Sequence, residues 1–209
     1  MPVHMQSHVR RITFDQVRLD RLARAILSDV GEASAELGIL FVGDRRMRGL
    51  NRRYRGKDRT TDVLAFAMRE SFTPHPSPLT PVMLGDVVIA VPTAARQAKQ
   101  GRRSLDEELT VLLVHGILHL CGYDHERSEK EARRMHRRER MILRSLARLP
   151  KRVEKAGGAR KARLAGRARK ARQARLDEPV RIGWLARSAH RAFLASLANG
   201  HASPITLHE

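Results

Sequence analysis

Apolar and polar positions follow two different periods along the first 150 residues. Apolar side chains recur every three or four positions from Asp15 to Val30, which predicts an amphipathic helix. Short apolar runs predict strands at 36–42, 62–66 and 84–91, and residues 10–14 are assigned as a short first strand. The chain is therefore expected to interleave strands with helices over this region.

Capping residues place the remaining helices. Asp44 is the predicted N-cap of a second helix. Ser104 and Glu107 form a predicted capping box, which starts a helix over 104–120. A last core helix is predicted over 127–148. Its inward residues are predicted to be Met135, Met141, Ile142 and Leu146.

Some stretches lack the apolar pattern of helices and strands. Residues 71–82 hold four prolines and are predicted to form a loop. Residues 151–179 form a basic stretch of mainly Ala, Gly, Arg and Lys, which cannot bury a core and is predicted to be a disordered linker. Residues 180–209 contain a short amphipathic segment. Three parts are thus expected, a domain over 1–150, the linker and the C-terminal segment.

The charge is strongly positive, with 41 Lys and Arg residues against 22 Asp and Glu residues, a net charge of +19. This balance indicates a polyanionic partner, either nucleic acid or an acidic membrane surface. The single cysteine, Cys121, excludes an intramolecular disulfide. The sequence shows no apolar stretch of membrane-spanning length and no signal peptide, so a cytoplasmic protein without a membrane partner is expected.

Three histidines within eleven residues carry the most specific chemical signal. His115 and His119 are four positions apart and share one helix face. Gly122 can end the helix in a left-handed conformation and turn the chain back, which brings His125 toward the other two. Three imidazoles that converge from one side leave one position open for water, an arrangement typical of catalytic zinc sites.

The His-x3-His-x2-Gly-x2-His spacing matches the zinc signature of metzincin proteases, with one difference. Those proteases carry Glu directly after the first histidine as the general base, whereas this chain has Gly116. The metal ligands are thus predicted without the proteolytic base, and a metzincin-like metallohydrolase remains an alternative.

Three upstream stretches accompany the histidine motif, which spans His115–His125. They are Leu50–Asp58, which contains Tyr-Arg-Gly-Lys, Thr61–Phe66 and Leu84–Ile89. Together the four stretches resemble the YbeY family of bacterial endoribonucleases, the rRNA maturation factors. The resemblance covers residues 10–148. Ala65 stands where the family usually has Ser, and Thr60 where it often has Pro.

The resemblance implies a single α+β domain with a mixed four-stranded sheet, surrounded by about five helices. It implies one Zn²⁺ per chain on His115, His119 and His125. It also implies a single-strand-specific endoribonuclease that matures the 3′ end of 16S rRNA and acts in ribosome quality control, with ribosomal RNA and the small ribosomal subunit as partners. Arg55 occupies the position of the family's functionally important arginine.

The residue types fit this chemistry. Arg55 could hold the non-bridging phosphate oxygens with two parallel hydrogen bonds, and Lys57 and Arg59 could follow the RNA backbone. Asp62 and Asp86 could orient a ligand histidine or could only cap turns. The basic C-terminal arm could contact RNA or be a solvated tail. A non-catalytic zinc-containing ribosome-assembly factor is a further alternative, because no acid or base in the sequence must be catalytic.

Overall fold

A mixed sheet forms the centre of the computed structural model, which describes residues 3–68 and 83–149 and the backbone of residues 205–207. The strand order is β1-β2-β4-β3-β5. Strands β1, β2 and β4 run parallel, and β3 runs antiparallel to both β4 and β5. The strands are β1 (Val3–Ser7), β2 (Glu36–Val42), β3 (Val63–Ala67), β4 (Met83–Ala90) and β5 (Ile205–Leu207). The mixed sheet of four strands is confirmed, and β5 adds a short fifth strand.

The described residues contain five helices, which divide between the two faces of the sheet. They are α1 (Gln16–Asp29), α2 (Asp44–Arg55), α3 (Val91–Gln100), α4 (Leu105–Leu120) and α5 (Glu129–Ala147). The larger core contains residues of α1, α4 and α5 and of one sheet face. A smaller core joins α2 to the other face. This arrangement confirms the α+β class.

The predicted first strand at residues 10–14 is wrong. The strand lies earlier, at Val3–Ser7, and pairs with β2 at the edge of the sheet. Val3, Met5 and Ser7 are partly buried, whereas His4 and Gln6 are exposed. An edge strand with polar residues at alternate positions gives a weak hydrophobic signal.

Two further details differ from the prediction. Gly43 rather than Asp44 is the N-cap of α2. The Asp44 carboxylate instead accepts hydrogen bonds from Thr93 and Arg96 of α3, at 2.9 and 2.8 Å. On α5, Met135, Ile142 and Leu146 are buried as predicted, but Met141 is 54% exposed because it lies about 100° around the helix from its neighbour Ile142.

Several predicted features lie outside the described residues. They are the proline-rich loop at 71–82, the basic linker at 151–179 and, except for the backbone of 205–207, the segment at 180–209. Their boundaries stay predictions. In the part of the chain that the structure describes, no helix is both long and apolar enough to cross a bilayer.

Asp86 is a buried carboxyl on the face of β4 that points away from α4. Its neighbour Val87 contacts α4 at Gly116, so alternation along the strand turns Asp86 to the other face. Among the described residues, neither Asp86 oxygen has a hydrogen-bond partner. Burial raises the pKa of Asp86 to about 7, because the charged form loses its hydration.

We predict that Asp86→Asn stabilises the fold relative to wild type more at pH 8 than at pH 4. The carboxyl binds its proton more tightly in the folded chain, so its contribution to stability is lost as pH rises from about 4 to 7. The shift of the pKa corresponds to roughly 4 kcal/mol at most. Urea unfolding of both proteins at the two pH values measures the difference.

Asp58→Asn provides a control of opposite sign. Asp58 is exposed and pairs with Arg48, which lowers the pKa of its carboxyl. Its contribution is lost only as pH falls below the unfolded pKa of 3.8, so Asp58→Asn should destabilise the fold to a similar extent at pH 8 and pH 4. An Asp86→Asn effect that is equal at pH 4 and pH 8 would contradict the assignment.

Candidate metal centre

Helix α4 carries two of the three histidines through the core. It begins at the predicted capping box, in which the Ser104 hydroxyl accepts from the Glu107 amide and the Glu107 carboxylate accepts from the Ser104 amide. The helix is buried from Glu108 to Leu120 except at Val111. A helix that is apolar almost all round lies inside a protein, which places its histidines in the core.

Gly116 allows α4 to approach the sheet closely. A Cβ atom at this position would lie 2.7 Å from Val87 Cγ1 and 3.5 Å from Val63 Cγ2. Branched valine side chains on a strand cannot move far, so nothing larger than glycine fits without displacement. The position that holds the general base in metzincins is therefore a packing contact in this chain.

The turn after α4 brings the third histidine back, as predicted. Gly122 has a φ of +85°. Its amide donates to the His119 carbonyl at 2.9 Å, and the Tyr123 amide donates to the Leu118 carbonyl at 3.1 Å. These two bonds form a Schellman motif, which satisfies the last carbonyls of the helix and reverses the chain. Asp124 braces the turn by accepting from the Glu126 amide at 2.9 Å.

The three histidines converge. One ring nitrogen of each of His115, His119 and His125 lies within 4.8 Å of the others. Ring centroids are 5.0 Å apart for 115 and 119, 5.4 Å for 115 and 125, and 5.3 Å for 119 and 125. His115 and His119 are buried and His125 is half-buried. The cluster is close enough to hold one metal ion and is reached from the side of His125.

Glu139 on α5 orients one of the histidines. Its Oε1 lies 3.2 Å from His115 Nδ1, and the carboxylate is buried. An ionised carboxylate only accepts, so the contact places the ring proton on Nδ1 and leaves the Nε2 lone pair to bind metal. Glu139 was not among the site residues predicted from the sequence. Glu139 lies at helical spacing from Met135, Ile142 and Leu146, on the inner face of α5. This spacing was the sign in the sequence that its side chain points inward.

Arg55 reaches the same site from α2. Its side chain is only 11% exposed, and its Nη2 donates to both oxygens of Glu126, at 3.2 and 3.4 Å. Glu126 directly follows His125. The end of α2 thus lies beside the turn that carries the third histidine.

The other predicted residues are less closely involved. Lys57 and Arg59 are exposed on the loop after α2. Asp62 accepts hydrogen bonds from the Val63 amide and from Gln97, so its carboxylate stabilises the end of that loop. Asp86 points to the opposite face of the sheet. The orienting role considered for Asp62 and Asp86 falls to Glu139.

Comparison with known proteins places the chain in a family. Residues 4–147 match the family model described as Endoribonuclease YbeY. The chain belongs to the YbeY family. A relative from Anaeromyxobacter sp. Fw109-5, named Endoribonuclease YbeY, is 47% identical over 78% of this chain and 81% of its own length. One of the same name from Geobacter metallireducens is 46% identical over 71% of this chain and 97% of its own.

A solved structure was also found. The solution structure of TM1509 from Thermotoga maritima is 23% identical and covers 69% of this chain and 88% of its own, with a TM-score of 0.49.

We predict that Gly116→Ala destabilises this YbeY-family domain by about 1–3 kcal/mol, because its methyl group would overlap Val87. Adding Val87→Ala should recover part of the loss in a double-mutant cycle of chemical unfolding. Gly49→Ala is the matched control. Gly49 lies in α2 with nothing within 4 Å of its added Cβ, so the change should stabilise by about 0.5–1 kcal/mol. A stabilising Gly116→Ala would refute the packing role.

We also predict that Glu139→Leu lowers Zn²⁺ affinity about 10- to 100-fold, since His115 loses its orienting acceptor. Glu139→Gln keeps an acceptor oxygen and should lose less. Competition with a chelating dye measures the affinity. Glu129→Gln, an exposed acid on the same helix, should leave it unchanged. Equal affinities for Glu139→Leu and wild type would exclude the orienting role.

Proposed function

We propose that the chain is a zinc-dependent endoribonuclease that cuts single-stranded ribosomal RNA, with His115, His119 and His125 as metal ligands and Arg55 as a catalytic residue. One observation carries the proposal. A cluster of three imidazoles includes His125, and the residue after it, Glu126, forms an ion pair with Arg55, whose side chain is only 11% exposed. Phosphodiester hydrolysis needs both an activated water and a cation on the phosphate oxygens.

The donor set fits a divalent transition metal. Three imidazoles suit zinc, and also nickel or copper, and the Glu139 contact already prepares His115 as a ligand. A zinc ion bound there would supply Lewis acidity and lower the pKa of a nearby water toward neutrality. The metzincin alternative is disfavoured, because the packed position of Gly116 has no room for a glutamate base.

Arg55 would neutralise the phosphate that is attacked. Its guanidinium is shielded from water, so its attraction for an anion is stronger than that of an exposed arginine. The planar fork can donate two parallel hydrogen bonds to non-bridging oxygens. In the structure both oxygens of Glu126 accept from the Nη2 of this guanidinium, and an RNA phosphate would replace Glu126. Lys57 and Arg59, exposed on the following loop, would contact adjacent phosphates.

The substrate would be recognised by phosphate contacts and shape. Aromatic residues make up only 4% of the chain, so base stacking has few platforms. We propose maturation of the 3′ end of 16S rRNA and ribosome quality control as the role, with the small ribosomal subunit as partner and the cytoplasm as its place. Residues 1–150 would form the nuclease domain, and the basic residues 151–179 would be a linker that contacts RNA, followed by the segment 180–209.

Cleavage of a defined 16S rRNA precursor by the metal-loaded protein tests the proposal. His119→Ala and Arg55→Glu should each lower the cleavage rate by about 100-fold or more, because each removes stabilisation of charge in the transition state. Metal analysis should find one zinc per wild-type chain and less in His119→Ala. Circular dichroism verifies that each variant is folded.

His8→Ala and Arg45→Glu serve as controls with the same changes at exposed positions after β1 and on α2, and both should cleave like wild type. Full cleavage by folded His119→Ala and Arg55→Glu would refute the proposal. A purified wild type that binds zinc and RNA without cutting would instead support the assembly-factor alternative.

A further inference from the structure

The outer face of α5 carries a continuous row of basic side chains that the metal centre does not use. The row comprises Lys130, Arg133, Arg137, Arg140, Arg144 and Arg148, spaced three or four residues apart and all exposed. Residues with this spacing lie on one side of a helix. At 1.5 Å per residue the row is about 27 Å long. We call these six residues the α5 row.

The α5 row lies opposite the face that packs on the core. Met135, Glu139, Ile142 and Leu146 face inward, and a turn of 100° per residue places the row about half a turn away from them. The two faces of α5 therefore make different contacts. The inner face holds His115 through Glu139, and the outer face meets solvent.

Helix α5 carries too few acidic side chains to pair with the whole α5 row. Beyond Glu131 the only acid on α5 is Glu139, which is buried on the inner face. Arg133 pairs with Glu129, an ion pair in which both side chains are more than two-thirds exposed. Within the described ranges, no ion pair involves Lys130, Arg137, Arg140, Arg144 or Arg148.

Helix α2 shows that this pattern does not follow from arginine content alone. It also carries many arginines, yet Arg48 pairs with Asp58, Arg55 pairs with Glu126 and Arg53 lies over the ring of Tyr54. On α5, successive like charges three or four residues apart repel each other, which destabilises the helix. A bound polyanion would remove this repulsion, so the row is complementary to a phosphate chain.

We propose that the α5 row is a second RNA-binding surface, separate from the metal centre, that holds the backbone of a long substrate. The inference rests on the proposed function for the identity of the polyanion. A short oligonucleotide would fill the metal centre alone. A long RNA would also lie along the row and gain the release of its counter-ions.

The test compares RNA binding by two triple variants of the full chain with equal changes in charge. Arg137→Gln/Arg140→Gln/Arg144→Gln removes the centre of the row. Arg10→Gln/Arg11→Gln/Arg45→Gln is the control, because these arginines are also exposed but lie before α1 and on α2. Fluorescence anisotropy measures the Kd for single-stranded RNAs of about 6 and about 40 nucleotides, chosen below and above the span of one binding groove, over a range of salt.

The row variant should bind the long RNA at least about 10-fold more weakly than wild type, and the slope of log K against log salt should become shallower by about 2, as expected for three lost phosphate contacts. Its affinity for the short RNA should change less than 2-fold or so, since that RNA does not reach the row. The control variant should bind both RNAs about as wild type does, apart from a small effect of net charge.

Equal weakening by the two variants would overturn the proposal, because net charge alone would then explain it. If the row variant loses binding to phosphatidylglycerol vesicles but binds RNA like wild type, the proposal is also overturned, and a membrane surface is favoured as the partner. Failure of the nuclease is a separate result. If wild type does not cleave the precursor RNA but the row variant alone loses affinity for the long RNA, the surface stands without the proposed activity.

Discussion

The contact of α4 with the sheet at Gly116 determines where the site lies. Because this residue has no side chain, the helix axis lies close to Val87 and Val63, and the histidine before it is buried where it contacts Glu139 of α5. A bulkier residue would lift the helix and move both of its histidines relative to α5 and α2. The donor geometry therefore depends on a packing contact made by a residue that performs no chemistry.

The histidine cluster could be predicted because its determinants are local. The helical period aligns His115 with His119, and glycine at position 122 favours the left-handed turn that returns His125. The capping box that starts α4 is local in the same way. Such features are encoded within a few residues of each other, so neither the rest of the fold nor the crossing of distant helices is needed to find them.

Other parts of the site depend on how distant segments meet. Glu139 contacts His115 only because α5 crosses α4 at that point, and Glu126 meets Arg55 only because α2 ends beside the turn. The sequence of either segment alone does not show which residue of the other segment it contacts. The edge strand β1 was missed for a different reason, since an edge tolerates polar residues on alternate positions and loses the apolar run that marks a central strand.

The short strand β5 has a consequence for the order of folding. Its backbone pairs with the outer edge of β3, from Val63 opposite Leu207 to Ala65 opposite Ile205. This pairing closes a loop of about 140 residues, whereas β3 and β4 are near neighbours in the chain, so the entropy of loop closure favours the inner strands first. The edge of β3 then stays open to other extended chains until β5 covers it.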